Sequence, residues 1–188
     1  MSTRLVILGL LRKRPMHGYE IKHIIEDHMG DWTSIAFGSI YFALKKLTDE
    51  GLLEVKATEK SGNRPSRTIY HTTQAGREEF AKLLRGVWAT PERQFFAIDL
   101  GLFFMDALPD DEIEKLLEQR IEYLEAAQRY LNEHRQENVA DPRVPMQAQW
   151  IFDHSLAHLG AELAWFQRVK LDITSRKDQG RAQTTRSV

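Results

Sequence analysis

The sequence predicts a mainly α-helical protein with one small β-hairpin in its first half and only helices in its second half. Apolar residues recur every three or four positions over most of the chain, which is the helical period. The exception is 52–72, where two runs rich in β-branched residues flank a turn-rich loop. The length of 188 residues, with 28% charged and 42% hydrophobic residues, fits one or two ordinary folded domains.

Composition excludes several classes of protein. The chain contains no cysteine, which excludes a disulfide scaffold, a thiolate nucleophile and a cysteine-ligated metal site. The sequence contains no run of about 18 apolar residues, so we expect no membrane span. The apolar start ends at Leu11 and is followed by basic residues without a small-residue cleavage site. We therefore expect a helix of the mature protein there, not a signal peptide.

Charge is distributed unevenly along the chain, although the net charge is only −1. Residues 1–90 contain 14 Lys and Arg against 10 Asp and Glu, a net charge of +4. Residues 91–188 contain 12 against 17, a net charge of −5. This asymmetry indicates that only the first half meets a polyanion, although an excess of four charges also arises by chance.

Three short helices are predicted before the hairpin. The first covers 5–11 and ends before Pro15, whose ring cannot continue it. The second covers 18–30, and the third covers about 38–50. Gly51 is a favourable residue just after a helix end. The apolar stripe of the third helix, at i, i+4 and i+7, consists of Ile40, Leu44 and Leu47.

The hairpin comprises predicted strands at 52–58 and 67–72, joined by a loop at 61–66. Thr73 suits the N-cap of a fourth helix. Three helices followed by a two-stranded hairpin is the order of a winged helix-turn-helix domain, in which one helix and the hairpin wing contact DNA. We predict such a domain over residues 1–90.

The second half is predicted to be an all-α dimerisation domain over 91–173, followed by a flexible polar tail at 174–188. The strongly apolar stretch 95–105 predicts a buried helix, a long helix follows to about residue 136, and a last helix covers about 146–173. Two long amphipathic helices without a sheet need a further apolar surface, which we expect to be supplied partly by a second copy of the chain. The heptad seam of the last helix consists of Phe152, Leu156, Leu159, Leu163 and Phe166.

The third helix carries suitable DNA-contacting residues away from its apolar stripe. Ser39 lies in the first turn, where a hydroxyl and free backbone N–H groups can approach a phosphate or a base edge. Tyr41 can donate its hydroxyl to a phosphate, and Lys45 and Lys46 can make salt-sensitive contacts. An arginine at the hairpin tip can enter a narrow minor groove or hold the backbone. The cations near this tip are Lys60, Arg64 and Arg67.

Five short motifs occur in the order and spacing of a known family. They are Leu8-Gly9-Leu10-Leu11, His17-Gly18-Tyr19-Glu20-Ile21, Gly38-Ser39-Ile40-Tyr41-Phe42-Ala43-Leu44-Lys45-Lys46-Leu47, Glu50-Gly51-Leu52 and Tyr70-His71-Thr72-Thr73-Gln74-Ala75-Gly76. Over roughly residues 4–85 the chain resembles the PadR family of bacterial transcriptional regulators. Its second half resembles the longer-tailed branch of that family, which includes a virulence activator with a helical C-terminal domain.

The resemblance implies a cytoplasmic homodimer that binds an inverted-repeat operator, more often as a repressor, and whose DNA affinity is shifted by an effector. It implies no cofactor, no metal ion and no enzymatic activity. Phe37 and Phe42 depart from the family, which usually has smaller residues or proline there, so they change helix docking or contact a thymine methyl. The predicted DNA-binding residues are His17, Tyr19, Gly38, Ser39, Tyr41, Phe42, Lys45, Lys46, Arg64 and Arg67.

Several of these signals also have a purely structural explanation. Lys45 and Lys46 can form an ordinary solvated face, and Tyr41 can pack against the first helix. The segment 17–19 can serve only as the tight turn before the second helix, with its glycine allowing close packing. Tyr70 suits half-buried packing within the sheet better than contact with a ligand.

Two residue groups suggest further functions. Trp88, Trp150 and Trp165 can line a flat apolar pocket for a small aromatic effector, although a tryptophan between helices is more often part of the core.

The second group is His154 and His158, spaced i, i+4, with Glu162 at i+8. Two histidines at this spacing can share a metal ion, so the alternative function is a metal-binding helical-bundle enzyme. An interfacial or solvent-facing pair is the structural explanation. A third interpretation is an interaction module whose winged helix binds protein.

Overall fold

The computed structural model describes residues 3–30, 33–59, 67–91, 93–140 and 144–186. The chain divides into two compact units, residues 1–93 and 94–188. The first unit contains α1 (Thr3–Leu11), β1 (Met16–His17), α2 (Gly18–Met29), α3 (Phe37–Asp49), β2 (Leu53–Glu59), β3 (Arg67–Thr72) and α4 (Gln74–Ala89). The second contains α5 (Ala97–Phe103), a 3-10 turn (Met105–Ala107), α6 (Asp110–Ala140) and α7 (Met146–Arg186). The predicted fold class is confirmed.

A three-stranded antiparallel sheet in the order β1-β3-β2 forms the wing. Strands β2 and β3 are the predicted hairpin, with a bulge between Val55 and Ala57. Strand β1 was not predicted, because two residues are too few to show an alternating pattern. It pairs Met16 with Tyr70 and His17 with Ile69. The start of α2 is thereby joined to the wing.

The predicted apolar stripe of α3 lies in the core of the first unit. Ile40, Leu44 and Leu47 are 1%, 0% and 1% exposed, and full burial of each such side chain contributes about 1.5–3 kcal/mol. Gly51 has a φ of 72°, the left-handed conformation that favours glycine after a helix end. The buried residues packed with this stripe are Ile7, Leu8, Leu11, Met16, Ile21, Ile25 and Leu53.

Thr73 caps α4, as predicted, and also fixes the turn between α3 and β2. Its hydroxyl oxygen accepts a hydrogen bond from the Gly76 N–H at 3.1 Å, and its O–H donates to the Gly51 carbonyl at 2.8 Å. Thr73→Ala removes both bonds, so we expect the free energy of unfolding to fall by about 1–2 kcal/mol in urea denaturation. Thr73→Ser keeps the hydroxyl and serves as the control. An unchanged Thr73→Ala midpoint would contradict the capping role.

Helices α6 and α7 form an antiparallel pair in the second unit. Ion pairs between described side chains join them in antiparallel order: Glu118–Lys170 at 2.9 Å, Arg120–Glu162 at 2.8 Å and Arg135–Asp153 at 2.8 Å. The predicted heptad seam of α7 faces this contact, with Phe152 and Phe166 buried and its leucines half-buried. The buried core residues around Phe166 are Leu117 and Leu124.

Two predictions for the second unit were wrong. The stretch 95–105 is not buried in the single chain, because Leu100 and Phe103 of α5 are 66% and 78% exposed. The last helix does not end at 173, since α7 continues through the predicted tail to Arg186. Its apolar period ends earlier, but extending an existing helix needs only backbone hydrogen bonds. Within the described ranges, no helix has the length and apolarity required to cross a membrane.

Candidate nucleic-acid interface

Helix α3 presents a cationic and aromatic surface away from its buried stripe. Phe42 is 70% exposed, and Gly38, Lys45 and Lys46 are also exposed. Among the side chains that the structure describes, no carboxylate lies within ion-pair distance of Lys45 or Lys46. Both ammonium groups are therefore available to a polyanion.

Two aromatic rings lie side by side at the start of α3. The rings of Phe37 and Tyr41 meet edge to face with centroids 5.0 Å apart, and they are 49% and 43% exposed. The Lys22 ammonium lies 4.9 Å from the centroid of the Phe37 ring and 3.3 Å from the Glu26 carboxylate. Tyr41 is therefore packed on one side and accessible on the other.

Ser39 lies in the first turn of α3, as predicted, but its donors are already used. Its O–H donates to the Ala36 carbonyl at 2.5 Å, and its N–H donates to the same carbonyl at 3.0 Å. The N–H group of Ser39 itself is therefore not free to contact DNA. The hydroxyl oxygen can still accept a hydrogen bond from a base amino group.

His17 and Tyr19 lie at the start of α2. The Nδ1 atom of His17 accepts a hydrogen bond from the Glu20 N–H at 3.0 Å, so His17 acts as the N-cap. Tyr19 is 54% exposed, and its ring meets that of His23 edge to face at 4.4 Å. His23 was not among the predicted site residues, although its i+4 spacing from Tyr19 places both on one helix face.

The wing contributes one predicted residue within the described ranges. Arg67 begins β3, although its side chain is outside the described part, and Lys60 and Arg64 lie outside the described residues altogether. Tyr70 is half-buried in β3. Burial raises the pKa of its hydroxyl, and the neighbouring Tyr41 raises it further.

The three predicted effector-site tryptophans are not brought together by either unit alone. Trp88 belongs to the first unit and is 85% exposed, whereas Trp150 and Trp165 belong to the second. Of the three, Trp165 lines a cavity of about 510 Å³, together with His154, His158, Glu162 and others. A second cavity, of about 450 Å³, is mostly apolar and lies between α5, α6 and α7.

The histidines of α7 do not form the metal site of the alternative enzyme hypothesis. The rings of His154 and His158 are 4.6 Å apart, but Glu162 accepts a hydrogen bond from Arg120 at 2.8 Å. Across the described residues, no group of three or more potential protein ligands could hold a metal ion. The metal-enzyme alternative is therefore not supported.

Known proteins match this chain over both halves. Residues 7–82 match the family model described as "Transcriptional regulator PadR-like family". The "Negative transcriptional regulator PadR" of Bacillus subtilis (strain 168) is 31% identical over 120 residues, which cover 64% of this chain and 65% of that protein. The match thus spans just under two thirds of that relative's length.

Solved structures match the fold over a longer range. Crystal structures of Bacillus subtilis PadR in complex with operator DNA and with p-coumaric acid both give a TM-score of 0.77, at 25% and 24% identity. They cover 90% and 91% of this chain and 98% of that chain. The structure of the Vibrio cholerae virulence activator AphA gives a TM-score of 0.71 at 19% identity and covers 93% of this chain and 99% of that chain.

The match to AphA concerns the fold alone and is consistent with the predicted longer-tailed branch, because it extends over the helical second unit. The family match concerns the winged-helix half. Residues 7–82 therefore match a PadR-like transcriptional regulator domain, as the motifs in this part of the chain predicted.

Proposed function

We propose that this chain is a cytoplasmic, homodimeric repressor that reads an inverted-repeat operator with α3 and the wing. In this proposal residues 1–90 bind DNA and residues 91–173 provide the dimer contact and the effector site. The observation that carries it is the two-sided character of α3. One side is buried in the core, and the other presents Phe42, Lys45 and Lys46 to solvent.

Two similar proteins support the proposal. The sequence relative is a negative regulator, and the PadR structure at 25% identity contains operator DNA. In such domains, phosphate contacts give affinity and register, whereas base contacts by the recognition helix give specificity. We therefore assign salt-dependent affinity to the lysines of α3, and sequence preference to Ser39 and Phe42.

A homodimer explains the exposed face of α5. Phe96, Leu100 and Phe103 follow one another at steps of four and three residues and are 53%, 66% and 78% exposed. Large adjacent apolar side chains in water favour association, and a two-fold dimer is the commonest arrangement. Two-fold symmetry would place the two recognition helices about 34 Å apart, one turn of duplex, or a multiple of it.

The test of DNA binding uses the duplex that the protein selects from a random-sequence library. Its affinity is measured by fluorescence anisotropy at several salt concentrations. We expect an inverted repeat and an affinity that falls steeply with salt, because phosphate contacts release counterions. Absent binding, or binding that salt leaves unchanged, would contradict the proposal and favour a protein-binding winged helix.

We assign the effector site to the cavity lined by Trp165. The p-coumaric acid complex of Bacillus subtilis PadR indicates the chemical class, a small phenolic acid. The Trp165 ring meets the Phe166 ring edge to face at 4.8 Å, so the cavity wall is joined to the core of the second unit. An effector that fits one dimer shape better than another would change DNA affinity.

Trp165→Leu tests this assignment. We expect the p-coumaric acid concentration that releases half of the operator to rise about tenfold, because an aromatic stacking partner is removed. Trp150→Leu is the matched control, since Trp150 is a tryptophan of the same helix that lines neither cavity. Equal responses in the two variants would contradict the assignment.

A further inference from the structure

Gly18 has an unusually close contact with the proposed DNA-reading helix. It is the first residue of α2 and is buried. A Cβ atom at this position would lie 2.9 Å from Cε1 and 3.2 Å from Cζ of Tyr41, and 3.1 Å from Cδ1 of Leu44. Contacts below 3.0 Å force something to shift. The Tyr41 ring therefore rests against the bare backbone of Gly18.

The backbone at Gly18 is held firmly in place. The preceding His17 pairs with Ile69 of β3 and caps α2 through its hydrogen bond from the Glu20 N–H. Gly18 thus lies where the sheet, α2 and α3 meet. Because this junction is fixed by backbone pairing, a side chain added at Gly18 would move Tyr41 more readily than it would move the junction.

The Tyr41 ring is also bounded by Phe37 on α3, at a centroid distance of 5.0 Å. Tyr41 nevertheless remains 43% exposed. Its ring is therefore packed between α2 and its own helix while part of the side chain reaches solvent.

We propose that Gly18 is a positioning residue for DNA binding, because its missing side chain sets the place of the Tyr41 ring and so presents the Tyr41 hydroxyl to a phosphate. This inference rests on the proposed DNA-binding function. It assigns Gly18 a role beyond a tight turn, since its effect on DNA passes through one named side chain. A substitution at Gly18 should then matter only when the Tyr41 ring is present.

A double-mutant cycle tests the proposal with four proteins: wild type, Gly18→Ala, Tyr41→Ala and the double variant. Their affinities are measured for the duplex selected by the wild type, at one salt concentration. We expect Gly18→Ala to weaken DNA binding about tenfold, because one hydrogen bond to a charged phosphate is lost. In the Tyr41→Ala background the same change should alter affinity by less than about twofold.

Gly9→Ala is the matched control for general damage. A Cβ atom at Gly9 would lie 2.9 Å from Cε2 of Phe80, which is the same close approach to an aromatic ring at the contact of α1 and α4. We expect Gly9→Ala to lower the melting temperature while the folded protein keeps its DNA affinity. If Gly18→Ala fails to fold, the double variant carries the test and must bind like Tyr41→Ala.

Three results would overturn the inference. They are an unchanged affinity in Gly18→Ala, a loss that persists undiminished in the Tyr41→Ala background, and an equal loss in Gly9→Ala. Failure of the wild type to bind any duplex is a different result, because it removes the proposed function itself and the inference with it.

Discussion

Lys45→Glu/Lys46→Glu is expected to lower operator affinity by about 100-fold or more at moderate salt, because two phosphate attractions become two repulsions. The milder pair Lys45→Ala/Lys46→Ala should reduce the slope of log affinity against log salt by up to about 1.8, or about 0.9 for each phosphate that is no longer neutralised. Both side chains are exposed, so neither variant should change the melting temperature by more than a few degrees.

The matched control for this prediction lies on α4 of the same unit. Lys82 and Arg85 are both exposed, and Lys82 pairs with Glu79 at 3.9 Å. Lys82→Glu/Arg85→Glu changes the net charge by the same amount as the α3 variant. We expect a loss of less than about fivefold, since only general attraction to DNA is reduced. Equal losses in the two variants would show that charge, and not α3, determines binding.

The fold of the first unit was predictable because its signals are local. The spacing of Ile40, Leu44 and Leu47 gives the buried side of α3, and the glycine at 51 marks its end. Strand β1 was not predictable in the same way. Its two residues are strand only because β3 lies beside them, and a pairing between Met16 and Tyr70 has no local signature.

In the second unit, the apolar pattern of the sequence predicts that side chains are buried but does not identify the surface that buries them. The stretch 95–105 is strongly apolar, which predicts that it is covered, but the covering surface cannot be read from one chain. Ile98 packs against the core of its own unit, whereas Leu100 and Phe103 remain exposed. The difference lies in tertiary packing and, in our proposal, in a second copy.

At the candidate site, the exposure of side chains could be predicted from the sequence, but the hydrogen bonds could not all be predicted. Lys45 and Lys46 are exposed as expected, since side chains off a buried stripe face solvent. The hydrogen bonds of Ser39 to the Ala36 carbonyl depend on the backbone angles at the helix start. Neither those backbone angles nor the capping role of His17 can be inferred from the spacing of residues in the sequence, because both depend on the surrounding folded structure.

Leu100→Asp/Phe103→Asp is expected to separate the dimer into single chains. Each substitution places a carboxylate where the proposal requires an apolar contact, and an unpaired buried charge costs several kcal/mol. We expect the dimer dissociation constant, measured by sedimentation, to rise by about 100-fold or more. Operator affinity should also fall by about 100-fold or more. A single chain bound to one half-site lacks the additional affinity that a dimer gains by binding two half-sites at once.

Phe42→Asp is the reciprocal control, because Phe42 is a phenylalanine of similar exposure on the other unit, 70% against 78% for Phe103. It should weaken operator binding while the dimer remains intact, since a carboxylate on α3 repels phosphates but touches no dimer contact in the proposal. The two variants thus separate assembly from DNA binding. A dimer that survives Leu100→Asp/Phe103→Asp would assign the interface to another face of the helical unit, because two carboxylates cannot remain in an apolar contact without a partner.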